Sequence, residues 1–257
     1  MSMESRQIKY LSPPAAVRMT DHWYDISTLD HFWIDRRFGV LRKLAGDLIR
    51  NAKNRAEIGC GNGLVQRSIE DYYHVPITGF DLNDMALRRN VSRMSDVCCY
   101  DIHQRSPELK SYFDMIVLFD VLEHITEEAL FLESLRFHLA RSGKIVINVP
   151  AHQSLYSAYD RAAGHVRRYS IRSLQAAAGR AGLRVLAFTY WGAPLIPFLL
   201  LRKVIVRSVR TEKAIIVRGF DPGSRVVNQA LKVIARCEPI PQRLFGTSLM
   251  AVLDERP

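Results

Sequence analysis

The run Glu57-Ile58-Gly59-Cys60-Gly61-Asn62-Gly63 decides the fold. It follows a short apolar stretch, 55–58, and precedes a helix-like one, 64–73. Glycines at a strand-to-helix turn remove side chains, so a ligand can approach the backbone at the carboxyl edge of a sheet. The helix that follows presents free N–H groups and a positive dipole end, a setting for a carboxylate. The spacing is acidic-x-G-x-G-x-G, which differs from the G-x-G-x-x-G of dinucleotide binders. Glu57 at the strand end is placed to organise the turn or to meet a cationic amine.

Outward from this run, short apolar strands alternate with helical stretches. The expected strands are 55–58, 77–80, 97–100, 115–118 and 144–149, with helices at 64–73, 84–94, 127–140 and 171–181. That alternation implies right-handed crossovers and a mostly parallel sheet covered on both faces. Two further strands, 184–190 and 247–253, lie too far apart for a hairpin turn. Between them, 192–242 reads as a helical insertion broken by Pro194, Pro197, Pro222, Pro239 and Pro241. Before the sheet, Phe38, Leu41, Leu44, Ala45 and Leu48 recur at three- and four-residue intervals, the buried face of a helix over 34–51. The organisation is thus an N-terminal helical segment, 1–54, a sheet domain over 55–191 and 243–257, and an insertion over 192–242.

Three more strand ends carry ligand-type residues. Asp81 closes Ile77-Thr78-Gly79-Phe80-Asp81, where a carboxylate can accept both hydroxyls of a ribose. At Asp101-Ile102 a carboxylate can take an adenine amino group while the isoleucine packs on the ring. The fourth strand ends in Phe119-Asp120-Val121-Leu122-Glu123-His124. Singly, Asp81 or Asp101 reads as a helix cap or turn residue. Together they describe a nucleoside site.

The succession EIGCGNG, GFD, CCYDI, FDVLEHI and SGKIVINVP resembles the motifs of class I S-adenosylmethionine (SAM) dependent methyltransferases. The resemblance implies a doubly wound α/β fold of seven strands with the last antiparallel. It also implies SAM as cofactor, with Gly59, Gly61, Asp81, Asp101, Ile102 and Phe119 at its site; Glu57 and Gly63 of the glycine run are further cofactor-binding candidates. A narrower likeness lies in His31-Phe32-Trp33 with Arg36-Arg37, and in the stretch from Val149-Pro150-Ala151 through Asp160 to His165-Val166-Arg167-Arg168-Tyr169. These resemble a bacterial group associated with cell-envelope polysaccharide or glycolipid genes.

Methyl transfer depends mainly on alignment in a dry pocket, with a general base where the nucleophile is a hydroxyl. His124 and His165 are the catalytic candidates, because both follow strands that open on the glycine-turn edge. Asp120, Glu123, His124 and His165 also form a candidate divalent-metal set, since positions i, i+3 and i+4 share a helical face. It is similar to the E-x-x-E-H plus distal histidine of metal-assisted relatives, with Asp120 departing at the first position. Arg161, Arg167 and Arg168 around His165 suggest an anion site, and Tyr156, Tyr159 and Tyr169 are candidate acceptor-pocket residues or core.

Composition bounds the partners. A chain of 257 residues, 48% hydrophobic and 24% charged, folds around a substantial core. A net charge of +10 favours an anionic acceptor, nucleic acid or an anionic lipid surface. Cys60, Cys98, Cys99 and Cys237 make no CxxC pair, which fits reduced thiols in a cytoplasmic protein. Residues 1–9 lack a signal-peptide core. The longest apolar run, 191–201, is too short to span a bilayer, but with its basic neighbours 191–210 suits peripheral membrane contact. The expected reaction is O-methylation of a small-molecule, glycan or lipid-linked acceptor. A metal-assisted RNA methyltransferase and a non-catalytic SAM-binding scaffold are the alternatives.

Overall fold

The computed structural model describes residues 7–17, 22–206, 209 and 211–256. Most of the expected N-terminal stretch 1–9, and Arg207 and Arg210 of the basic stretch, lie outside the described residues. The elements in chain order are β1 (Lys9–Tyr10), α1 (His22–Ile26), α2 (Phe32–Asn51), β2 (Arg55–Ile58), α3 (Leu64–Tyr73), β3 (Thr78–Asp81), α4 (Asp84–Arg88) and β4 (Val97–Cys99). There follow β5 (Phe113–Phe119), α5 (Glu128–His138), β6 (Leu139–Pro150), α6 (Ala158–Ala162), α7 (Ile171–Arg180), β7 (Leu183–Trp191), α8 (Ile196–Ile205), α9 (Glu212–Phe220), α10 (Arg225–Arg236) and β8 (Ser248–Glu255).

Among the described residues these strands form one eight-stranded sheet in the order β1-β4-β3-β2-β5-β6-β8-β7. Only β8 runs antiparallel to its neighbours, β6 and β7. The sheet therefore has one strand more than the seven expected. The addition is β1, a two-residue edge strand pairing Lys9 with Cys98 and Tyr10 with Cys99. Two exposed residues carry no alternation to read, so only the pairing partner identifies them as a strand.

The strand order reverses between β2 and β5. At such a switch point the connections leave in opposite directions and a crevice opens beyond the carboxyl ends. Register brings those ends level: Ile58 lies beside Phe80 and Leu118, Asp81 beside Cys99, and Phe119 beside Asn148. The central strands are apolar because both faces are covered. Ile116, Leu118, Ile145 and Ile147 pack with the α5–α7 side, and Met115, Val117, Val146 and Met250 with α2 and Trp191.

The helix expected over 84–94 stops at Arg88. The following segment is held instead by Glu70, whose buried carboxylate accepts the N–H groups of Arg93, Met94 and Ser95 at 2.7, 3.1 and 2.9 Å. Side-chain acceptance replaces helical bonding there. The 192–242 stretch holds α8, α9 and α10. Glu238 at its end accepts the amides of Gly192 and Ala193 at 2.7 and 3.0 Å and pairs with buried Arg36 of α2 at 3.0 Å. Both ends of the stretch are therefore fastened to one point on α2.

Candidate active site

A cavity of about 370 Å³ opens at the carboxyl ends of β2, β3, β4 and β5. Glu57, Gly59, Gly61, Asp81, Asp101, Ile102 and Phe119 all line it, so residues from four separate strand ends share one wall. Gly63 does not reach it. That glycine is the N-cap of α3 at φ 79°, and a Cβ there would meet Asn90 Oδ1 at 2.4 Å. Its requirement is conformational, inside the turn. Gly59, at φ 74°, faces Val121, whose Cγ2 would stand 2.3 Å from an added Cβ.

The rim carboxylates are partly engaged. Asp81 accepts the amides of Gly61 at 2.7 Å and Asn83 at 2.9 Å, which braces the turn and leaves acceptor capacity for hydroxyls. Burial raises its pKa from the usual value, and these amide bonds oppose that. Asp101 caps the next turn by accepting from His103 N at 2.9 Å. Glu57 is different. Its Oε2 is buried with no hydrogen-bond partner among the described residues, and burial pushes its carboxyl up to about 8, opposed by Arg37. An orphaned buried acid facing a cavity suits a cationic group, which is the donor this glycine turn leaves room for.

A second cavity of about 480 Å³ adjoins the first, and Trp23, Asp120 and His124 line both. Its inner end holds Glu123, His124, His165 and Arg168, and its outer walls come from α8, α9 and α10. Glu123 and His124 sit on a 3-10 turn, Leu122–His124, directly after β5. His165 reaches them from the loop after α6: its ring stands T-shaped to His124 with centroids 4.9 Å apart. Its Nε2 is 3.9 Å from Glu123 Oε1.

Asp160 fixes that imidazole. Ser157-Ala158-Tyr159-Asp160 forms a capping box at the start of α6, so the Asp160 carboxylate turns back into the protein. There it meets His165 Nδ1 at 3.0 Å and Arg168 Nε at 2.7 Å. Burial alone would raise its pKa, but the hydrogen bond from His165 and the Arg168 charge hold the carboxyl well below the usual range. With Nδ1 donating to a carboxylate, His165 presents Nε2 toward Glu123 as an acceptor.

Glu123, His124 and His165 offer three ligand atoms within 4.8 Å of one another. Asp120, the expected fourth donor, does not join them. It pairs with Arg37 and accepts Asn148 Nδ2 at 2.7 Å, while Asn148 Oδ1 accepts Trp191 Nε1 at 2.8 Å. Asp120 adopts φ 55°, a left-handed conformation costly for a non-glycine residue, and this network holds it there. Its carboxylate turns to α2 and β6 rather than to the histidines.

The expected arginine cluster also separates. Arg168 is occupied by Asp160, Arg167 pairs with Glu128 at 2.9 Å, and Arg161 is exposed. Tyr169 is core, donating to Glu128 at 2.6 Å, and Tyr156 donates to the His165 carbonyl at 2.7 Å. Tyr159 alone of the three tyrosines lines the second cavity. Sequence reading left Asp160 and Arg37 without roles, although Ser157-x-x-Asp160 has capping-box spacing that places the acid near the histidine. Trp23 and Tyr24, which wall the first cavity from α1, have no local signal at all.

A family model described as a methyltransferase domain matches residues 30–187, more than half of the chain. No curated protein matches the sequence. A SAM-dependent methyltransferase from Archaeoglobus fulgidus superposes with TM-score 0.53 at 17% identity, covering 86% of this chain and 94% of that one. The plantazolicin methyltransferase BpumL, solved with S-adenosylhomocysteine, gives 0.53 at 15% identity, covering 87% and 85%. The 4+2 cyclase SpnF gives 0.58 at 13% identity, covering 95% and 98%. At these identities the likeness to solved structures is one of fold.

Proposed function

The chain belongs to the methyltransferase-domain family, and from that premise we propose that it uses SAM as cofactor and methylates a hydroxyl of an acceptor held in the second cavity. The observation that carries this reading is the meeting of the two cavities at Trp23, Asp120 and His124, with the Asp160–His165 pair on the acceptor side. SAM, when bound, supplies the sulfonium methyl. Asp81 would receive the ribose hydroxyls, Asp101 and Ile102 the adenine, and Glu57 the amine, with Gly59 and Gly61 giving backbone access and Phe119 packing beside them. His165 Nε2 would take the hydroxyl proton as the acceptor oxygen bonds to the methyl carbon and the carbon–sulfur bond breaks to leave a neutral thioether, and Asp160 would stabilise the imidazolium that results. His124, at the junction, positions the acceptor. The acceptor classes that fit are a small molecule, a glycan or a lipid-linked glycan; the likeness of 149–170 to the envelope-associated group supports the last two.

The test is transfer of isotopic label from SAM into cell extract by wild type, His165→Ala and Asp160→Asn. His165→Ala should lower turnover by about 100-fold or more with SAM affinity unchanged. Equal losses in affinity and turnover would remove His165 from the acceptor side. A second reading is favoured by the grouping of Glu123, His124 and His165 within 4.8 Å. In it a divalent cation sits on those three donors and polarises the acceptor oxygen. Calorimetry with Mg2+, Mn2+ or Zn2+ on wild type and Glu123→Gln tests it, and full activity in chelator ends it.

A further inference from the structure

Helix α8 is apolar in sequence, Ile196-Pro197-Phe198-Leu199-Leu200-Leu201-Arg202-Lys203-Val204-Ile205, yet of these ten residues only Leu199 is buried. Phe198 is 45% exposed, Leu201 57%, Val204 65% and Ile205 47%. Scattered apolar residues on a surface need no explanation, but five exposed large apolar side chains on one short helix, Phe198, Leu200, Leu201, Val204 and Ile205, do. Phe198, Leu201 and Ile205 also line the second cavity, as does Val227 of α10, itself 46% exposed. The apolar patch and the apolar wall of the acceptor cavity are therefore one continuous surface. It runs from solvent to the side chains around His165.

Residues 196–225 carry seven arginines and lysines against Glu212 and Asp221. Arg202 stands inside the rim, its guanidinium 3.9 Å from the Tyr159 ring centre and its Nη1 donating to the Gly219 carbonyl at 3.2 Å. Its Nε is buried without a hydrogen-bond partner, and among the described residues no carboxylate pairs with it. A cation left unpaired in an apolar cavity is complementary to an anion. No helix among the described residues is long and apolar enough to cross a membrane. At ten residues, about 15 Å long, α8 suits lying in an interface.

We propose that α8 and the start of α10 rest on an anionic membrane, and that the acceptor is an anionic lipid-tailed molecule passing from that bilayer into the second cavity. Its tail lies between α8 and α10, its anion meets Arg202, and its hydroxyl reaches His165. This rests on the methyl-transfer reading above, whose second cavity it fills. A second copy of the chain is a poorer occupant of the patch, because it would set two basic surfaces face to face.

The test uses the full chain, phosphatidylcholine vesicles with and without phosphatidylglycerol, and Leu200→Glu/Val204→Glu, whose positions lie on α8 outside the cavity lining. Wild type should sediment with phosphatidylglycerol-containing vesicles and not with phosphatidylcholine alone. The double variant should bind the former about tenfold or more weakly while binding SAM with unchanged affinity. Label from SAM, supplied with isolated membranes, should partition into the chloroform phase. Failure of wild type to bind either vesicle, or equal binding by the variant, overturns the docking face, as does self-association through α8 without vesicle binding. Label confined to the aqueous phase overturns the lipid acceptor but leaves methyl transfer standing. No label in any fraction from a protein that binds SAM counts against the methyl-transfer reading itself.

Discussion

At the scale of single residues, the site is governed by how each carboxylate is partnered. Asp81 holds the Gly61 amide and faces the cavity, so its loss removes both a brace of the turn and the proposed acceptor for ribose hydroxyls. Asp81→Ala should weaken SAM binding on the order of a hundredfold, the cost of two hydrogen bonds to a charged group. Calorimetry returning wild-type affinity would remove the ribose role. Glu57 has no such partner at Oε2, and its carboxyl is raised to about 8 by burial. In the free protein near neutral pH it is protonated, and a cationic amine beside it favours the carboxylate. SAM binding should therefore release a proton below about pH 8, with affinity rising toward that pH and falling above it as the free ligand's α-amine, whose ordinary pKa is about 8, loses its charge. Calorimetry in buffers of different ionisation enthalpy measures this, and Glu57→Gln should abolish the release.

At the scale of elements, apolar periodicity identified those that bury a face, and long-range acceptance decided those that do not. Helix α3 runs over the expected 64–73 because its start is marked by the glycine turn and its end by His74 in a left-handed conformation. The expected helix at 84–94 ends at Arg88 because the Val91 amide finds the Asn62 carbonyl and the amides of Arg93, Met94 and Ser95 find Glu70, more than twenty residues earlier, as their acceptor. No local pattern encodes that choice. Burial would raise the pKa of Glu70, yet the hydroxyls of Ser92 and Ser95 and the surrounding amides lower it. Glu70→Ala should cost about 2–4 kcal/mol in urea denaturation, because it leaves buried donors unsatisfied. Hydrogen exchange at Arg93, Met94 and Ser95 should quicken more than in α3, and uniform quickening would show that the loop is not separately held.

At the scale of the whole molecule, the helices after β7 are bound to the N-terminal helix rather than to the sheet alone. His31 caps α2 by accepting the Trp33 amide at 3.1 Å, stacks on Phe220 with centroids 3.9 Å apart, and donates through Nε2 to the Phe220 carbonyl at 3.0 Å. Burial lowers its pKa from 6.5 to about 4, the Phe220 carbonyl and Asp221 opposing and Lys232 and Arg37 assisting. For a base with a depressed folded-state pKa, the unfolded chain takes up the proton first. Stability is therefore lost as pH falls from 6.5 to about 4, on the order of 3 kcal/mol in all. Thermal denaturation across that range should show a fall that is reduced in His31→Asn. An identical fall in the variant would place the sensitivity elsewhere.

What the sequence by itself determined was the set of strand ends and the identity of the residues on them. A parallel strand followed by a helix returns the chain to the same edge each time, so Glu57, Asp81, Asp101 and Phe119 had to face one crevice. What only the tertiary structure decided was the acceptor side and the partition of charged groups. Asp120 looked equivalent to Glu123 three residues away, yet Arg37 from α2 and Asn148 from β6 turned it out of the histidine cluster. Asp160, Trp23 and Arg202 entered the site from separate elements, and the outward face of α8 became visible only once its neighbours were packed. The physical reason is that backbone periodicity is local and repeats, whereas the partner of a buried charge is whichever group the folded chain brings within hydrogen-bond reach.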